Sequence, residues 1–514
     1  RRAVGVVTYT GVARGVSPTL LLHAVDLTLT EVRVDVAGKR VAAPQHPDGH
    51  VLALPLTGAQ PGTAFTVRIA WQVTRPAMGL YFVGPDRDAP KRPLHVWTQG
   101  ETHGIRHWLP SPDDPDERMT WQVQVDVPKG FRVLSNGTPG ASGDRGDRGG
   151  RHHAAFSIDK PYPLYLFNLA AGPFRAQRHP HARVKIESWA FPRHQARIRT
   201  IGRRTGEMLD LFEKLTGTAY PHAQYGHVYV EEFVAGGMEN ITLTTLTGRA
   251  IGTARTDRDR TISGLLAHEL AHQWFGDLVT CRTWADLWLN EGFATFYQKQ
   301  WTLHARGVER FAEQMDGARR AALSADAATP RPVVSDRYRH PSELFDGHAY
   351  PKGAWVLHML REQLGHAVFD AGIKRYLQGH LHRSVETADL RRAMEHVSGQ
   401  SLRGYFKRWL RQPGMPRLVA KISWDRRAKK VRVSLTQKQK VDGQRPYFAL
   451  PVEVAYAVGD KVHREVVQLT GKRATWSKTL QQRPDWLMVD PEMKLLAGWK
   501  LKADVDLMRG AATQ

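Results

Sequence analysis

The sequence has 514 residues, of which 41% are hydrophobic, and a formal net charge of +23. A chain of this length holds roughly three domains, each large enough for its own core, and no apolar run approaches the ~20 residues of a membrane span. The single cysteine, Cys281, excludes an intramolecular disulfide framework.

The excess of lysine and arginine raises the question of nucleic-acid binding, which depends on their distribution more than on their number. They are dispersed, with modest clusters at 194–204 and 425–433, and no recognised nucleic-acid motif accompanies them. A solvated basic surface is therefore the favoured interpretation, and no nucleic-acid partner is expected.

The first part of the sequence is rich in strand signals. TLLLHAVDLTLTEVRVDVAGKRV and TWQVQVDVPKGFRVLSNG alternate apolar and polar residues between turn signals, and no helical period of useful length appears. The Gly-, Asp- and Arg-rich segment 137–153 lies between strands and predicts an exposed hairpin loop. We predict an all-β domain over residues 1–175.

From residue 176 to residue 413 the pattern becomes mainly helical. RIRTIGRRTGEMLDLFEKLTG has apolar residues at helical spacing and a glycine stop, and QYGHVYVEEFVAGGMEN predicts a strand that runs into a Gly-rich turn. Further along, TADLRRAMEHVSG has Thr387 as a candidate N-cap and Gly399 as its stop, and LRGYFKRWLRQPGMP stops at Pro413. We predict one domain over residues 176–413.

The stretch HELAHQWFGD has the spacing of a zinc clamp. If it is helical, His268 and His272 stand one turn apart on one face and can both reach a single ion. Neutral imidazole suits Zn²⁺, and catalytic zinc sites have three protein ligands and a water molecule. The third ligand can be sought in WADLWLNEGFATFYQ, a predicted helix that carries Glu291. Glu269 would lie beside the ion as the base for its bound water.

A second pair of histidines, His103 and His107, has the same spacing in THGIRHWLP. Gly104 occupies the position of the glutamate, and Pro110 interrupts any helix. We interpret this pair as structural. The His268 stretch differs because a base, an amphipathic frame and a downstream acid occur together.

The sequence from residue 414 onward returns to strands. LVAKISWD, KKVRVSLTQ, FALPVEVAYAV and REVVQLTG alternate at period two between turns. This pattern predicts a β-sandwich over residues 414–514.

Three ordered motifs resemble those of the M1 family of zinc aminopeptidases. HELAHQWFGDLVT followed by WLNEGFAT resembles the family's zinc motif, and AYPKGAWVLHML (349–360) resembles its YxKG segment. VEEFVAGGMENITLTTL (230–246) looks like its exopeptidase signature, usually written GAMEN, with Gly237 where alanine is commoner. The resemblance implies a multidomain α+β fold: the N-terminal all-β domain, a thermolysin-like, mainly helical catalytic domain, and the C-terminal β-sandwich. The family's C-terminal helical domain is expected to be absent.

The resemblance also implies the catalytic roles. One Zn²⁺ per chain would be held by His268, His272 and Glu291. Glu269 would be the general base, and Tyr350, in the YxKG segment, would face the zinc and stabilise the oxyanion.

The substrate's α-amine would be held by carboxylates. In WTQGETHGIRHWLPSPDDPDERMTW, Glu101 matches the family's Glu or Gln that touches the free amine, and Glu239 would pair with the same group. Backbone groups of the Gly-rich turn would line the peptide. The substrate-binding residues are then Glu101, Gly236, Gly237, Met238, Glu239 and Asn240, of which Asn240 is expected to shape the turn.

These observations predict a zinc-dependent aminopeptidase that hydrolyses the N-terminal peptide bond of peptides with a free N-terminus. An M1-like scaffold without zinc and a basic nucleic-acid binder are the alternatives from other classes. Every zinc ligand and the base are present, which disfavours the scaffold. The sequence does not discriminate an epoxide hydrolase activity known in one M1 branch, and it does not reveal the preferred first residue.

The chain opens with RRAVGVVTYT, without an initiator Met or a signal-peptide pattern. We interpret it as processed or trimmed, so that targeting cannot be read. We expect a soluble protein without a transmembrane segment, with the cytoplasm slightly favoured over the periplasm or secretion. A monomer is favoured.

Overall fold

The computed structural model describes residues 1–145, 150–252, 262–443 and 445–503. The chain divides into two compact units. The first consists of residues 1–214, 218–283 and 380–385, and the second of residues 215–217, 284–379 and the described part of 386–514. The division into three domains at residues 175 and 413 stays a prediction.

The N-terminal part of the first unit is built from strands, as predicted. They are β1 (Arg2–Val12), β2 (Thr19–His23), β3 (Thr28–Val36), β4 (Lys39–Val41), β5 (Val51–Pro55), β6 (Ala64–Thr74), β7 (Leu80–Val83), β8 (His95–Thr98), β9 (Arg118–Pro128), β10 (Arg132–Ser135), β11 (Thr138–Arg145), β12 (Arg151–Pro163), β13 (Leu169–Gly172), β14 (Arg175–His179) and β15 (Lys185–Ala190). They form the sheets β1-β6-β3-β4, β2-β5, β10-β13-β8-β7 and β11-β12-β9.

Alternation of apolar and polar residues decides which face of these sheets is buried. In β6, Val67, Ile69 and Trp71 are buried while the residues between them are not. These side chains join a core cluster with Leu22, Val34, Leu52, Leu54 and Trp108.

The hairpin expected at 137–153 is present, but less of it is loop than predicted. Strands β11 and β12 extend into the segment, with Thr138 paired to Ser157 and Gly143 paired to His153. Polar and glycine residues can therefore continue a ladder whose partner strand is fixed on its other side by β9. Residues 146–149, at the centre of the predicted loop, lie outside the described residues.

The rest of the first unit contains helices and a mixed sheet. Its elements are α1 (Gln195–Ile201), α2 (Thr205–Thr216), whose last residues belong to the second unit, β16 (Gln224–Val230), β17 (Gly237–Met238), β18 (Leu243–Thr247), α3 (Ser263–His272), β19 (Val279–Cys281) and β20 (Arg383–Val385). The sheet order is β14-β15-β16-β18-β17, with parallel pairs around β16 and β17 at an edge. Because β16 lies between two parallel neighbours and both of its faces are covered, its residues from Tyr225 to Val230 are all buried.

The second unit begins with helices. They are α4 (Trp288–Ala328), α5 (Gly353–Leu364), α6 (His366–Gly379), α7 (Thr387–Ser398) and α8 (Arg403–Leu410). The long helix α4 contains a non-helical residue, Gly307, at φ 84°, so it consists of two helices in sequence. No helix in the described ranges combines the length and the apolar character needed to cross a membrane.

The predicted N-cap of α7 was wrong by one residue. Glu386 is the N-cap, in a capping box with Asp389, and the helix ends at Gly399 in the left-handed conformation. The hydroxyl of Thr387 instead donates to Asp286 Oδ1 (2.5 Å) and accepts from Trp288 Nε1 (2.8 Å). Thr387 therefore anchors the start of α4 rather than the start of its own helix.

The C-terminal strands of the second unit form two sheets. They are β21 (Arg417–Asp425), β22 (Lys430–Gln437), β23 (Leu450–Val458), β24 (Lys461–Leu469), β25 (Arg473–Thr479), β26 (Trp486–Val489) and β27 (Gly498–Lys502). The sheet orders are β25-β22-β21-β27 and β24-β23-β26.

Candidate active site

The HELAH stretch is helical, as expected, and it aligns two imidazoles. His268 and His272 lie one turn apart at the end of α3, and His272 is 1% exposed. Their Nε2 atoms are 3.2 Å apart, with the two rings nearly perpendicular at 79°. Two ring nitrogens thus converge on one point.

The tautomer of His272 follows from its other nitrogen. Nδ1 lies 2.8 Å from the carbonyl oxygen of Phe275, which can only accept, so Nδ1 carries the proton. Nε2 of the neutral ring is then an acceptor directed at His268. Two nitrogen ligands of tetrahedral Zn²⁺, at about 2.0–2.1 Å from the metal, lie roughly 3.3 Å apart, so this pair fits zinc. The described residues contain a histidine and glutamate cluster that could bind a metal ion.

A tight turn after α3 supplies that carbonyl group. Gly276 has φ 131°, and a Cβ atom there would lie 3.0 Å from His272 Nδ1. A side chain would therefore be strained and would crowd the imidazole. The glycine lets the backbone fold back so that Phe275 can orient His272.

Glu269 is 4% exposed and packs against the Gly-rich turn. A Cβ atom on Gly237 would lie 2.2 Å from Glu269 Oε1. In this structure the carboxylate occupies the space that an alanine methyl group would need. The glycine in place of the family's commoner alanine is thus matched to the position of Glu269.

The segment after that turn is tied to α3 by Gln273, which the sequence analysis did not single out. The Gln273 side chain is 2% exposed, donates to the carbonyl of Glu239 (3.1 Å) and accepts from the backbone N–H of Thr242 (3.0 Å). A buried amide that satisfies two backbone groups fixes their spacing. Gln273 directly follows His272 in sequence, and this adjacency is the only signal that could have identified it.

Glu239 is 3% exposed, with Oε1 3.8 Å from His272 Nδ1. Met238 is also buried, and its sulfur lies 3.1 Å from Gln99 Nε2. This contact links β17 to the end of β8, two residues before the half-buried Glu101. Glu101 and Glu239, the two predicted amine-binding carboxylates, thus lie on segments that the contact between Gln99 and Met238 connects.

Asn240 is fully buried and engaged by the protein. Its Nδ2 donates to the carbonyls of Leu166 (3.2 Å) and Phe167 (3.3 Å), and its Oδ1 accepts from Thr245 Oγ1 (2.7 Å). Neither end of the amide faces solvent. Gly236 lies one residue before β17, on the exposed edge of the sheet.

A second residue missed from the sequence is Asp277, which follows the Gly276 turn. It is 1% exposed, and neither carboxyl oxygen has a hydrogen-bond partner among the described residues. Burial, reinforced by the nearby Glu239, raises the pKa of Asp277 well above its ordinary value. Arg118 donates to its backbone carbonyl (2.9 Å). Asp277 is thus a buried acid whose neutral form is favoured.

Glu291 belongs to the second unit and lies in the first turn of α4, 2% exposed. The Thr387 hydroxyl, held by Asp286, anchors the Trp288 indole one turn earlier. The Glu291 carboxylate therefore belongs to a helix turn whose first side chain, Trp288, is held in place by hydrogen bonding.

Tyr350 lies in a π-helical turn (His348–Lys352) of the second unit and is partly buried. Asp346 accepts from the backbone N–H of His348 (2.8 Å) and from its Nδ1 (2.9 Å), and it pairs with Arg331 (2.6 Å). Partial burial alone would raise the pKa of Asp346, but these hydrogen bonds hold it below its ordinary value. A π-turn is frequent at functional sites, and here an ionised carboxylate stabilises its start.

The other histidine pair has a different setting. His107 ends a short 3₁₀ helix (Ile105–His107) and lies with Nδ1 3.7 Å from Asp26. The structure places His107 beside a carboxylate and in no α-helical frame.

Comparison with known families agrees with these features. The model for the peptidase family M1 domain matches residues 203–409, and the model for the peptidase M1 N-terminal domain matches residues 2–166. Together they cover more than half of the chain. The chain therefore has two domains of a peptidase family, a β-rich N-terminal domain and a helical catalytic domain. It belongs to peptidase family M1.

Curated relatives support the same family. The chain is 29% identical over 362 residues to Tricorn protease-interacting factor F2 of Thermoplasma acidophilum, covering 67% of this chain and 44% of that protein. It is 27% identical over 435 residues to Aminopeptidase M1 of Arabidopsis thaliana (78% and 47%) and 29% identical over 376 residues to Aminopeptidase N of Streptomyces lividans (68% and 42%). The chain spans about half the length of the curated relatives it matches.

Proposed function

We propose that this chain is a zinc-dependent aminopeptidase that removes the N-terminal residue of peptides with a free α-amine. The observation that carries the proposal is the pair of Nε2 atoms 3.2 Å apart, with the tautomer of His272 set by Phe275. The family membership and the aminopeptidase names of two relatives support it.

His268, His272 and Glu291 would hold one Zn²⁺. When bound, zinc lowers the pKa of its water and polarises the substrate carbonyl. The donor set of two neutral imidazoles and one carboxylate suits this metal. The proposal for Glu291 rests on its motif and on its buried place at the start of α4.

Glu269 would act as the general base. Its carboxylate would accept a proton from the attacking water and return it to the leaving amine. Near-complete burial would keep water other than the nucleophile away from this carboxylate.

Tyr350 would donate its hydroxyl hydrogen to the oxyanion that forms on the scissile carbonyl. The π-turn, whose first residue His348 donates its backbone N–H to Asp346, would hold the Tyr350 ring in one position during the reaction. Such a donor acts on charge that develops only in the transition state.

Glu239 and Glu101 would bind the α-ammonium of the substrate by charge-assisted hydrogen bonds. Gly236, Gly237 and Met238 would offer the backbone of edge strand β17 to the peptide. Asn240 would hold the turn, since its amide is used by Leu166, Phe167 and Thr245. A monomeric state, and a β-sandwich formed by the two C-terminal sheets, remain part of the proposal.

A panel of aminoacyl chromogenic amides, assayed before and after chelation and again after addition of Zn²⁺, tests the proposal. We expect hydrolysis that chelation abolishes and zinc restores. A protein that binds no metal and cuts no amide would support the zinc-free scaffold alternative, and one that binds zinc but cuts no amide would contradict the aminopeptidase assignment.

A further inference from the structure

One face of the C-terminal sheet β25-β22-β21-β27 concentrates positive charge. Strand pairing places Lys421 opposite Lys502, Val419 opposite Lys500, and Ser423 opposite Arg432. Residues paired in this way share a face, and so do residues two apart along each strand. The cationic face is formed by Arg417 and Lys421 of β21, Lys430 and Arg432 of β22, Arg473 of β25, and Lys500 and Lys502 of β27.

On the two central strands, the opposite face of the same sheet is buried. Leu418, Ala420 and Ile422 of β21 alternate with the cations and are at most 4% exposed, as are Val431, Val433 and Leu435 of β22. This strict alternation fixes the orientation of the cationic side chains away from the core. Their face is exposed except at its β27 edge, where Gly498 and Arg417 lie beside Leu323 of α4.

These cations are not neutralised within the part of the chain that the structure describes. None of the seven forms an ion pair with a described acidic residue. On this face, all of whose strand residues are described, the only carboxylate is Asp425, whose Oδ1 accepts from the backbone N–H groups of Arg427 (2.9 Å) and Ala428 (3.0 Å). Lys421 directly opposite Lys502 is destabilising, whereas a surface serving solubility alone mixes both signs.

The rest of the face is small and polar. Ser434, Thr436, Thr475 and Ser477 lie between the cations, and Val419 is the only apolar side chain there. No aromatic ring is present on these strand positions to stack on a base, and no large apolar side chain is present to insert into hydrocarbon. Lysines outnumber arginines, which suits non-directional attraction better than bidentate recognition.

The shape of the charge distribution indicates its partner. The cations span four strands, roughly 14 Å across, and so cover an area rather than a line. A nucleic-acid strand or an acidic peptide would contact only one stripe of them, whereas a planar anionic surface contacts all. We propose that the cationic face binds an anionic lipid bilayer at its headgroups, by electrostatic attraction without insertion.

The test is co-sedimentation of the full chain with phosphatidylcholine vesicles containing about one third phosphatidylglycerol, against pure phosphatidylcholine vesicles. We expect binding to the anionic vesicles only, and its loss between about 50 mM and about 500 mM NaCl, because screening shortens the range of charge attraction. Equal binding to both vesicle types, or to neither, would overturn the proposal.

Matched variants separate the face from the overall charge. One carries Lys421→Glu, Arg432→Glu, Lys500→Glu and Lys502→Glu, and the other reverses four exposed cations of the first unit: Arg14, Arg87, Lys91 and Arg203. Both lose the same formal charge, and thermal melts confirm that both are folded. We expect the first to bind anionic vesicles at least about tenfold more weakly and the second to bind nearly as the parent does. Equal losses would show that net charge alone is responsible. Duplex DNA binding that only the first variant loses, with no vesicle binding by the parent, would assign the face to nucleic acid.

Discussion

Gly292 of α4 and Gly353 of α5 are in backbone contact: a Cβ atom on Gly292 would lie 3.1 Å from the Gly353 Cα, and one on Gly353 would lie 3.0 Å from the Gly292 Cα. Gly292 follows Glu291, and Gly353 follows the π-turn that carries Tyr350. Glu291, the candidate metal ligand, and Tyr350, the candidate oxyanion donor, therefore lie next to a crossing of two elements of the second unit. The two backbones approach this closely because both residues at the crossing are glycines.

Gly292→Ala should therefore destabilise the second unit. The added methyl group meets backbone atoms that cannot rotate away, and overpacking of this kind costs about 1–3 kcal/mol. Gly317→Ala is the control on the same helix, because a Cβ atom there meets nothing within 4 Å. Removing a glycine from an open helical position should stabilise by about 0.5–1 kcal/mol. Urea unfolding of both variants measures the difference, and equal effects would show that the crossing tolerates a side chain.

Glu269→Gln should retain zinc and lose turnover. The amide cannot accept the proton from water, and general base catalysis contributes about 10²–10⁴-fold. Metal content by atomic spectroscopy and kcat/KM on an aminoacyl amide are the measurements, with Glu309→Gln, an exposed glutamate of α4, as the control. Near-normal activity in a zinc-loaded Glu269→Gln protein would refute the assigned base.

Tyr350→Phe should lower kcat and kcat/KM together, by about 10²–10³-fold, with KM nearly unchanged. The hydroxyl is expected to interact only with charge that forms in the transition state. Tyr447→Phe, in the C-terminal part, should have no effect. A rise in KM alone would instead make Tyr350 a binding residue.

Acid should destabilise the first unit through buried histidines, of which His227 is the clearest. His227 is fully buried, and burial, with a smaller effect of nearby His179, lowers its pKa to about 3. The unfolded chain takes up a proton near pH 6.5 while the folded chain does not. The stability that neutral His227 contributes is thus complete above pH 6.5 and is lost as the pH falls towards 3, at up to ~1.4 kcal/mol per pH unit.

Unfolding free energies measured from pH 7 to pH 4 test this effect. In His227→Gln, the slope of the unfolding free energy against pH should decrease by the amount that corresponds to about one proton taken up on unfolding. The control variant, His46→Gln at an exposed position, should keep the slope of the parent protein. An identical slope in the His227 variant would show that this residue titrates normally in the folded protein.

Local patterns in the sequence predicted much of the candidate site. A spacing of four residues on a helix is enough to pair His268 with His272, because helical geometry is the same in every protein. The β-rich N-terminal domain and the helical catalytic domain followed from hydrophobic periodicity in the same way.

Contacts between distant segments could not be predicted. The hydrogen bonds of Gln273 to the Glu239 segment, and the Gly292–Gly353 crossing, depend on tertiary packing that no local period encodes. The cationic face is similar, because its charges come from four strands and align only through their register. The cap of α7 was missed because threonine is a preferred N-cap residue and glutamate is not, whereas a tertiary hydrogen bond to Asp286 recruits the threonine.

The central claim is that the site recognises a free N-terminus, and one measurement tests it directly: kcat/KM for a single peptide in its free and N-acetylated forms. A charge-assisted contact to the α-ammonium is worth about 1.5–3 kcal/mol, so acetylation should cost the parent enzyme at least about tenfold. Glu239→Gln should lower kcat/KM for the free peptide and so reduce the difference in kcat/KM between the free and the acetylated forms. If the parent enzyme cuts both forms equally well, it is an endopeptidase and the aminopeptidase assignment fails.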